Sequence, residues 1–403
     1  TGGNVLLEAS DTGNDLIING AVLSEGGHIR LDASGDVDLN AKLATSENGT
    51  VAVVSGGSTS INSSITTTSG GVLVDATESI EQFASITSSG GEIGLVADGQ
   101  ISQFSGGDIT SANGDVLIDA GGDWTMSGDT VVSVGGQELL GRSGGTITLG
   151  VLRMTNSTSN RVGLEAVGSI VDGNGSETNI EETVGSAVTS LSLRSGGILG
   201  GAGGTDASVN DLALDLDVDE LAAASPQGIY LRDVASGDGI TVTSVDAVSV
   251  TIENVERAAF DSGTSTVSLP SVTIDSLEDM VSSEGSVKLV AESGSITIES
   301  GSDSAFGIEA GGDILLEARG SDNDLIINGN LVSSGGHITL DAGGDLDIGA
   351  DLSTSSAGAV VALSGGDALI TSSVLIGEGD FLILATESIE QFASITSSGG
   401  EIG

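Results

Sequence analysis

Apolar and polar positions alternate along this chain in short bursts. Val5-Leu-Leu-Glu-Ala9, Asp15-Leu-Ile-Ile-Asn19, His28-Ile-Arg-Leu-Asp-Ala33 and Gly35-Asp-Val-Asp-Leu39 each carry a few residues of strand-like character, closed by Gly, Asn or Asp. Runs of this length, rich in Val, Ile and Leu and bounded by turn residues, predict short β-strands with tight corners between them. Brief third strands are expected around Val22 and Leu43, giving two or three strands per turn of chain.

The plan then returns. A phrase Gly-Gly-x-(Ile/Val)-x-Leu-(Asp/Glu)-Ala recurs about every 20–24 residues across the regular stretches. Above it lies a longer period: residues 2–94 and 311–403 align without a gap at an offset of 309, roughly 60 % identical, and Thr77–Gly94 recurs unchanged as Thr386–Gly403. Fixed periods of this size are the signature of a solenoid, in which each coil buries its apolar face on its neighbours. Gly at the corners supplies conformational freedom. Stacking at about 4.8 Å and fourteen coils of about 22 residues predict an axial length of roughly 65–70 Å per 309-residue unit. Because the repeat restarts at Gly311 and stops in mid-unit, the chain reads as a window of a longer array.

Three regions are expected. Residues 1–145 are regular coils, 146–300 are more divergent coils with candidate protruding loops, and 301–403 are regular coils beginning the next super-repeat. The middle region carries Pro226, Pro270, Tyr230 and most of the arginines. Within it, Leu212–Asp219 reads as a strand with carboxylates facing out, and Glu220–Pro226 as a short helical excursion. Equal 21-residue steps relate Leu325 and Ile327 to Leu346 and Ile348, Phe83 to Phe104 and Gln82 to Gln103, predicting inward alternation, a stacked aromatic step and an amide ladder.

Composition narrows the function. Aromatic residues are scarce, with Trp124 and Tyr230 each the single example of its type, while Gly numbers 64. The 58 acidic against 10 basic side chains leave a net charge of −48. Such a surface repels nucleic acid and anionic lipid, so neither is an expected partner. No apolar stretch approaches the ~18 residues that span a bilayer, so no direct membrane insertion is expected. Cysteine is absent, which removes disulfide and thiolate chemistry.

The coil phrases Gly-Gly-His-Ile-Thr-Leu-Asp-Ala (335–342), Gly-Gly-Asp-Ile-Leu-Leu-Glu-Ala (311–318), Asn-Gly-Asp-Val-Leu-Ile-Asp-Ala (113–120) and Ser-Gly-Gly-Ile-Leu-Gly-Gly (195–201) resemble repeats of filamentous-haemagglutinin-like bacterial surface proteins. The resemblance implies an all-β, right-handed parallel β-helix (β-solenoid) secreted across the outer membrane. It also implies an extracellular, cell-surface location and a non-enzymatic role as a stiff stalk, filament or adhesin shaft. The partners expected are neighbouring repeats of the same protein, further rods in a self-assembled fibre, and a glycan or cell-surface ligand. The family's amino-terminal secretion domain is not within this sequence.

Candidate chemistry is sparse. Acidic residues follow the inward Leu or Ile at Glu8, Asp32, Asp75, Asp119, Glu165, Glu317 and Asp341. A second column joins Asp15 to Asp36 and Asp324 to Asp345. Stacked like charges repel, and Ca²⁺ relieves such repulsion through carboxylate and carbonyl oxygens. These four residues are therefore the candidate metal positions, beside the simpler reading of diffuse, screened charge; no cofactor is required. His28 and His337 occupy one repeat position, with no second histidine or cysteine nearby. No catalytic residue is expected. Two rival readings remain: a glycan- or host-surface-binding module displayed by 146–300, and a β-helical carbohydrate-active enzyme using Arg142, Arg153 and Arg161.

Overall fold

In a computed structural model the chain is all-β, its parallel strands stacked into a β-solenoid of about 16 turns. The structure describes residues 3–183, 188–201, 212–235, 237, 239–252, 255–258, 264–267, 269–302, 305–355 and 357–403. It divides into two compact units. The first comprises Thr1–Gly168, Asn179–Ala187 and Ala247–Asp275; the second comprises Ser169–Thr178, Val188–Asp246 and Ser276–Gly403.

In the first unit each regular coil has one five-residue strand and two three-residue strands. Val72–Ala76, Ile80–Gln82 and Ile86–Ser88 make one coil, and Ile93–Ala97, Ile101–Gln103 and Ile109–Ser111 the next. All three pair in parallel and in register, with Val72 on Ile93, Ile80 on Ile101 and Ile86 on Ile109. Alternate side chains point inward and form continuous columns. Ile29, Val51, Val72, Ile93, Val116, Leu139 and Val162 are one such column, fully buried throughout. β-Branched residues suit this position because their restricted rotamers pack well on a pleated surface.

Hydrogen bonding continues round the corners. Gly122 donates its N–H to Gly99 O at 2.8 Å and Gly145 to Gly122 O at 3.1 Å. The corner glycines serve close approach more than unusual backbone angles. A Cβ placed on Gly70 would lie 2.1 Å from Gly49 O in the preceding coil, although Gly70 has no positive φ.

The second unit follows the same rules. Ile314–Ala318, Ile338–Ala342, Val360–Ser364 and Phe381–Ala385 stack in register. Leu325 and Ile327 sit on Leu346 and Ile348 with all four side chains buried, as the 21-residue step predicts. Two local expectations are corrected. Glu220–Ala224 is a strand, not a helix, paired in parallel with Val188–Ser195. Leu221, Ala222 and Ala223 are fully buried, and stacking overrides the helix propensity of Leu, Ala and Glu. Asp215 is not solvated: it is 1 % exposed, and its carboxylate accepts two bonds from the Arg232 guanidinium at 2.7 and 2.5 Å.

About 16 turns in 403 residues is fewer than 22-residue coils would give. Four strands between Val248 and Ile274 account for part of the difference, because they pair antiparallel and not in the coil stack. Val248–Val250 pairs antiparallel with Val272–Ile274, and Val255–Ala258 with Thr264–Val267.

Candidate functional site

The acidic columns are built from the corners upward. Asp36 donates its N–H to Asp15 Oδ1 at 2.9 Å, and Ser58 donates to Asp36 Oδ1 at 2.7 Å. In the second unit, Asp345 donates to Asp324 Oδ1 and Asp367 to Asp345 Oδ1, each at 2.8 Å, and Ser388 to Asp367 Oδ1 at 2.9 Å. Each carboxylate therefore caps a backbone donor of the following coil through one oxygen, a charge-assisted bond between coils. The same device appears with other acceptors. His28 donates to Asn4 Oδ1, and His28 Nδ1 in turn accepts the Thr50 N–H. At the positions 309 residues later, His337 donates to Asp313 Oδ1 and its Nδ1 accepts the Ala359 N–H. Both histidines are thus corner caps.

Asp324, Asp345, Asp347, Asp367 and Glu390 line an open groove of about 400 Å³ in the second unit. Among the described residues, no group of three or more His, Cys, Asp or Glu side chains is arranged to hold a metal ion. Burial pushes the Asp347 carboxyl above its ordinary value.

The other acidic series is laid out so that like charges seldom meet. Reading across successive coils of the first unit, the register runs Glu8, Asp32, Val54, Asp75, Val96, Asp119, Arg142, Glu165. Valines separate the carboxylates by two coil steps. Where carboxylates do stack, an arginine is at hand: Arg30 pairs with Asp32 beside Glu8. In the second unit Glu317 stacks on Asp341, and Arg319 bonds Glu317 and Glu292, each at 2.7 Å. Asp341 is still raised, first by burial and then by Glu317.

Arg142, Arg153 and Arg161 are each paired with a carboxylate of a neighbouring coil. Arg142 makes a two-pronged bond to Asp119 at 2.9 and 2.6 Å, Arg153 Nε donates to Glu181 at 2.5 Å, and Arg161 pairs with Glu138. Burial pushes the Glu138 carboxyl up, with Arg161 opposing. Its other oxygen accepts the Ser249 N–H at 3.3 Å.

Inside the first unit, Gln103 donates to Gln82 Oε1 at 3.1 Å, and Trp124 Nε1 donates to Gln103 Oε1 at 2.8 Å. The amide ladder predicted from the 21-residue step thus exists and ends on a fully buried tryptophan. The aromatic step exists too: Phe83 and Phe104 stack with centroids 4.3 Å apart and planes 3° from parallel.

The feature that sequence reasoning missed is a cradle on the outside of the first unit. Ala52, Leu73, Gly94, Leu117, Leu140 and Gly163 follow one another in register over six coils at an outward-facing position. Val248, Val250, Ile252, Val255 and Ile274 lie against this column, buried in one cluster with Ala52, Leu73, Leu117 and Leu140. The fit is knob into hole. A Cβ on Gly163 would lie 2.9 Å from Val248 Cβ, and one on Gly94 2.9 Å from Ile252 Cγ1. Strands advance about 3.3 Å per residue and coils about 4.8 Å. Val248 to Ile252 therefore covers about 13 Å, against about 14 Å for the three steps from Gly163 to Gly94. Val250 falls between Leu140 and Leu117. The available signal was the apolar outward column itself, which a solvated coil does not need. Beside the returning strand, Val96, Asp119, Arg142 and Leu269–Thr273 line an open cleft of about 480 Å³.

In comparison with known proteins, no family model, curated protein or solved structure matches the chain. Among the described residues, no helix is long and apolar enough to cross a membrane.

Proposed function

We propose that this chain is a non-enzymatic shaft segment of a very large secreted bacterial surface fibre or adhesin of the filamentous-haemagglutinin kind, acting outside the cell as a stiff spacer. The observation that carries the reading is the in-register stacking of each unit, where strands, corners and side-chain caps bond to the next coil and Arg142, Arg153 and Arg161 pair across coils. Stability built from nearest-neighbour interfaces accumulates along an axis and suits load over distance. The net charge of −48 keeps such rods apart laterally and permits bundling when cations screen it. Engagement of Arg142, Arg153 and Arg161 in structural pairs weighs against the enzyme reading.

Electron microscopy of the native material tests this. Extended fibres should show a layer line near 4.8 Å. In proportion to about 16 turns per 403 residues, the 309-residue unit holds roughly twelve turns, not fourteen, and repeats near 58 Å. Compact particles without that repeat would overturn the shaft. A second reading, display of an adhesive module from 146–300, is favoured by the cleft beside Leu269–Thr273. Saturable glycan binding abolished by substitutions in that cleft would support it.

A further inference from the structure

The strand pair laid on the cradle presents one unpaired edge. Val248, Ser249 and Val250 pair antiparallel with Ile274, Thr273 and Val272. Directly opposed residues of such a pair either exchange backbone bonds or both turn their N–H and C=O outward, and in the second case their side chains come closer. Ser249 donates its N–H to Glu138 at 3.3 Å and not to Thr273, and Ser249 Oγ lies 2.8 Å from Thr273 Oγ1. Ser249 and Thr273 are therefore an outward-turned pair. The N–H and C=O of Thr273 point to the far edge, as do those of Ser271 by the two-residue period of a strand. That edge borders the open cleft of about 480 Å³ that Val96, Asp119 and Arg142 also line. Among the described residues, Val272–Ile274 pairs with Val248–Val250 alone. The coil surface alongside reads Asp75, Val96, Asp119, Arg142, Glu165 in register, three carboxylates against one arginine. With a net charge of −48 over the chain, this field attracts a basic segment and repels a second copy.

We propose that the Ser271–Thr273 edge and the coil surface at Asp75, Val96 and Asp119 accept an extended basic segment of another protein as an added β-strand. Backbone bonds to the edge supply affinity, and alternate side chains set the choice of sequence. Side chains on one face of a strand stand about 6.7 Å apart, against about 4.8 Å per coil. A basic–x–apolar–x–basic segment that seats its apolar residue on Val96 therefore carries its basic residues about 2 Å past Asp75 and Asp119, a gap that a lysine stem spans. An acidic segment in the same place sets like charges together. Asp119 is already bonded twice by Arg142, so the arginine limits the attraction at that end.

The test uses the full 403-residue chain and the probe tetramethylrhodamine-Lys-Thr-Val-Thr-Lys-amide, followed by fluorescence anisotropy. Saturable binding is expected. It should be lost when the three central amides of the probe are N-methylated, and when glutamates replace its lysines. Thr273→Pro removes an edge N–H that the ladder to Val248–Val250 does not use, at a position where proline is tolerated, and should weaken binding about tenfold or more. Arg142→Met leaves the Asp119 charge unbalanced and should strengthen binding of the same probe. Hydrogen exchange of Val248–Val250 at the parent rate shows that the strand pair is still seated in both variants. The N-methylated probe and the direction of the Arg142→Met effect decide the matter even where Thr273→Pro disturbs that pair. Absence of saturation, equal binding of the N-methylated probe, undiminished binding to Thr273→Pro, or weaker binding to Arg142→Met overturns the inference. So does saturable binding of the neutral probe cellohexaose in place of the peptide, which leaves the cleft to the adhesive reading.

Discussion

Leu73 and Leu382 occupy the same position of the repeat 309 residues apart, and Leu73 is the one packed against the 247–275 strands. Leu73 lies under the excursion and is followed by the stacked strand Ile93–Ala97, while beyond Leu382 only the single bridge Phe381–Ile402 follows, so Leu73→Ala tests the cradle and Leu382→Ala serves as a surface control. Leu73 is fully buried in the cluster with Val250, Ile252 and Ile274, while Leu382 is 39 % exposed. Removing three buried carbon groups at about 0.8 kcal/mol each gives roughly 2.4 kcal/mol before any cavity term. A surface strand can settle into the space, so the low end of the usual range for Leu→Ala, about 2–3 kcal/mol, is expected. For Leu382→Ala the loss should stay below about 1 kcal/mol. Global melting is a poor readout, because stacked repeats need not unfold in one step. Hydrogen exchange of the strands Val248–Val250 and Val272–Ile274 reports the opening of the excursion itself. With a factor of ten for every 1.4 kcal/mol, Leu73→Ala should speed exchange there by roughly 30- to 140-fold. Leu382→Ala should leave those strands unchanged. Unchanged exchange in Leu73→Ala would refute the claim that the excursion is held by this cradle.

Other outcomes follow from the corners and charges. Gly70→Ala places a Cβ 2.1 Å from Gly49 O and should cost about 1–3 kcal/mol or more by local exchange. Gly20→Ala meets nothing within 4 Å and should stay within about 0.5 kcal/mol. Arg161→Met strands the buried Glu138 and should destabilise more, by about 2 kcal/mol or above, than Arg142→Met, whose half-exposed pair is worth about 0–1 kcal/mol. Glu138, Asp341 and Asp347 all have carboxyls raised mainly by burial, so the native state holds more protons than the unfolded chain between the ordinary carboxylate value and the raised ones. Their penalty is complete above that window and vanishes below it, so the thermal midpoint should rise as the pH is lowered from neutrality into the window just above the ordinary carboxylate value. A midpoint that falls steadily over the same range would contradict this. Asp129, lowered by bonds from Ser105 and Ser127, loses its contribution only at more acid pH. Finally, CaCl₂ and MgCl₂ at equal ionic strength should raise the midpoint alike, since Asp15, Asp36, Asp324 and Asp345 each already cap a backbone N–H. A saturable calcium-specific excess would instead reveal an ordered ion.

The local period carried much of this architecture on its own. Alternation within Val72–Ala76 or Ile338–Ala342, closed by glycine and repeated every 20–24 residues, leaves a parallel stack as the arrangement that buries every apolar face. The same spacing announced the Gln82–Gln103 ladder and the Phe83–Phe104 stack, because in-register stacking turns a sequence interval into a contact. What resisted reading were events decided by distant partners. Glu220–Ala224 carries helix-forming residues, yet stacking on Val188–Ser195 makes it a strand. Asp215 looks solvent-facing until Arg232 folds over it. The acidic columns look like repelling charges until the next coil's N–H groups are placed beside them. Period and alternation are properties of neighbours along the chain and survive in one dimension. The cradle joins residues 52–163 to residues 247–275, and only the folded chain brings that outward apolar column under the strands that need it.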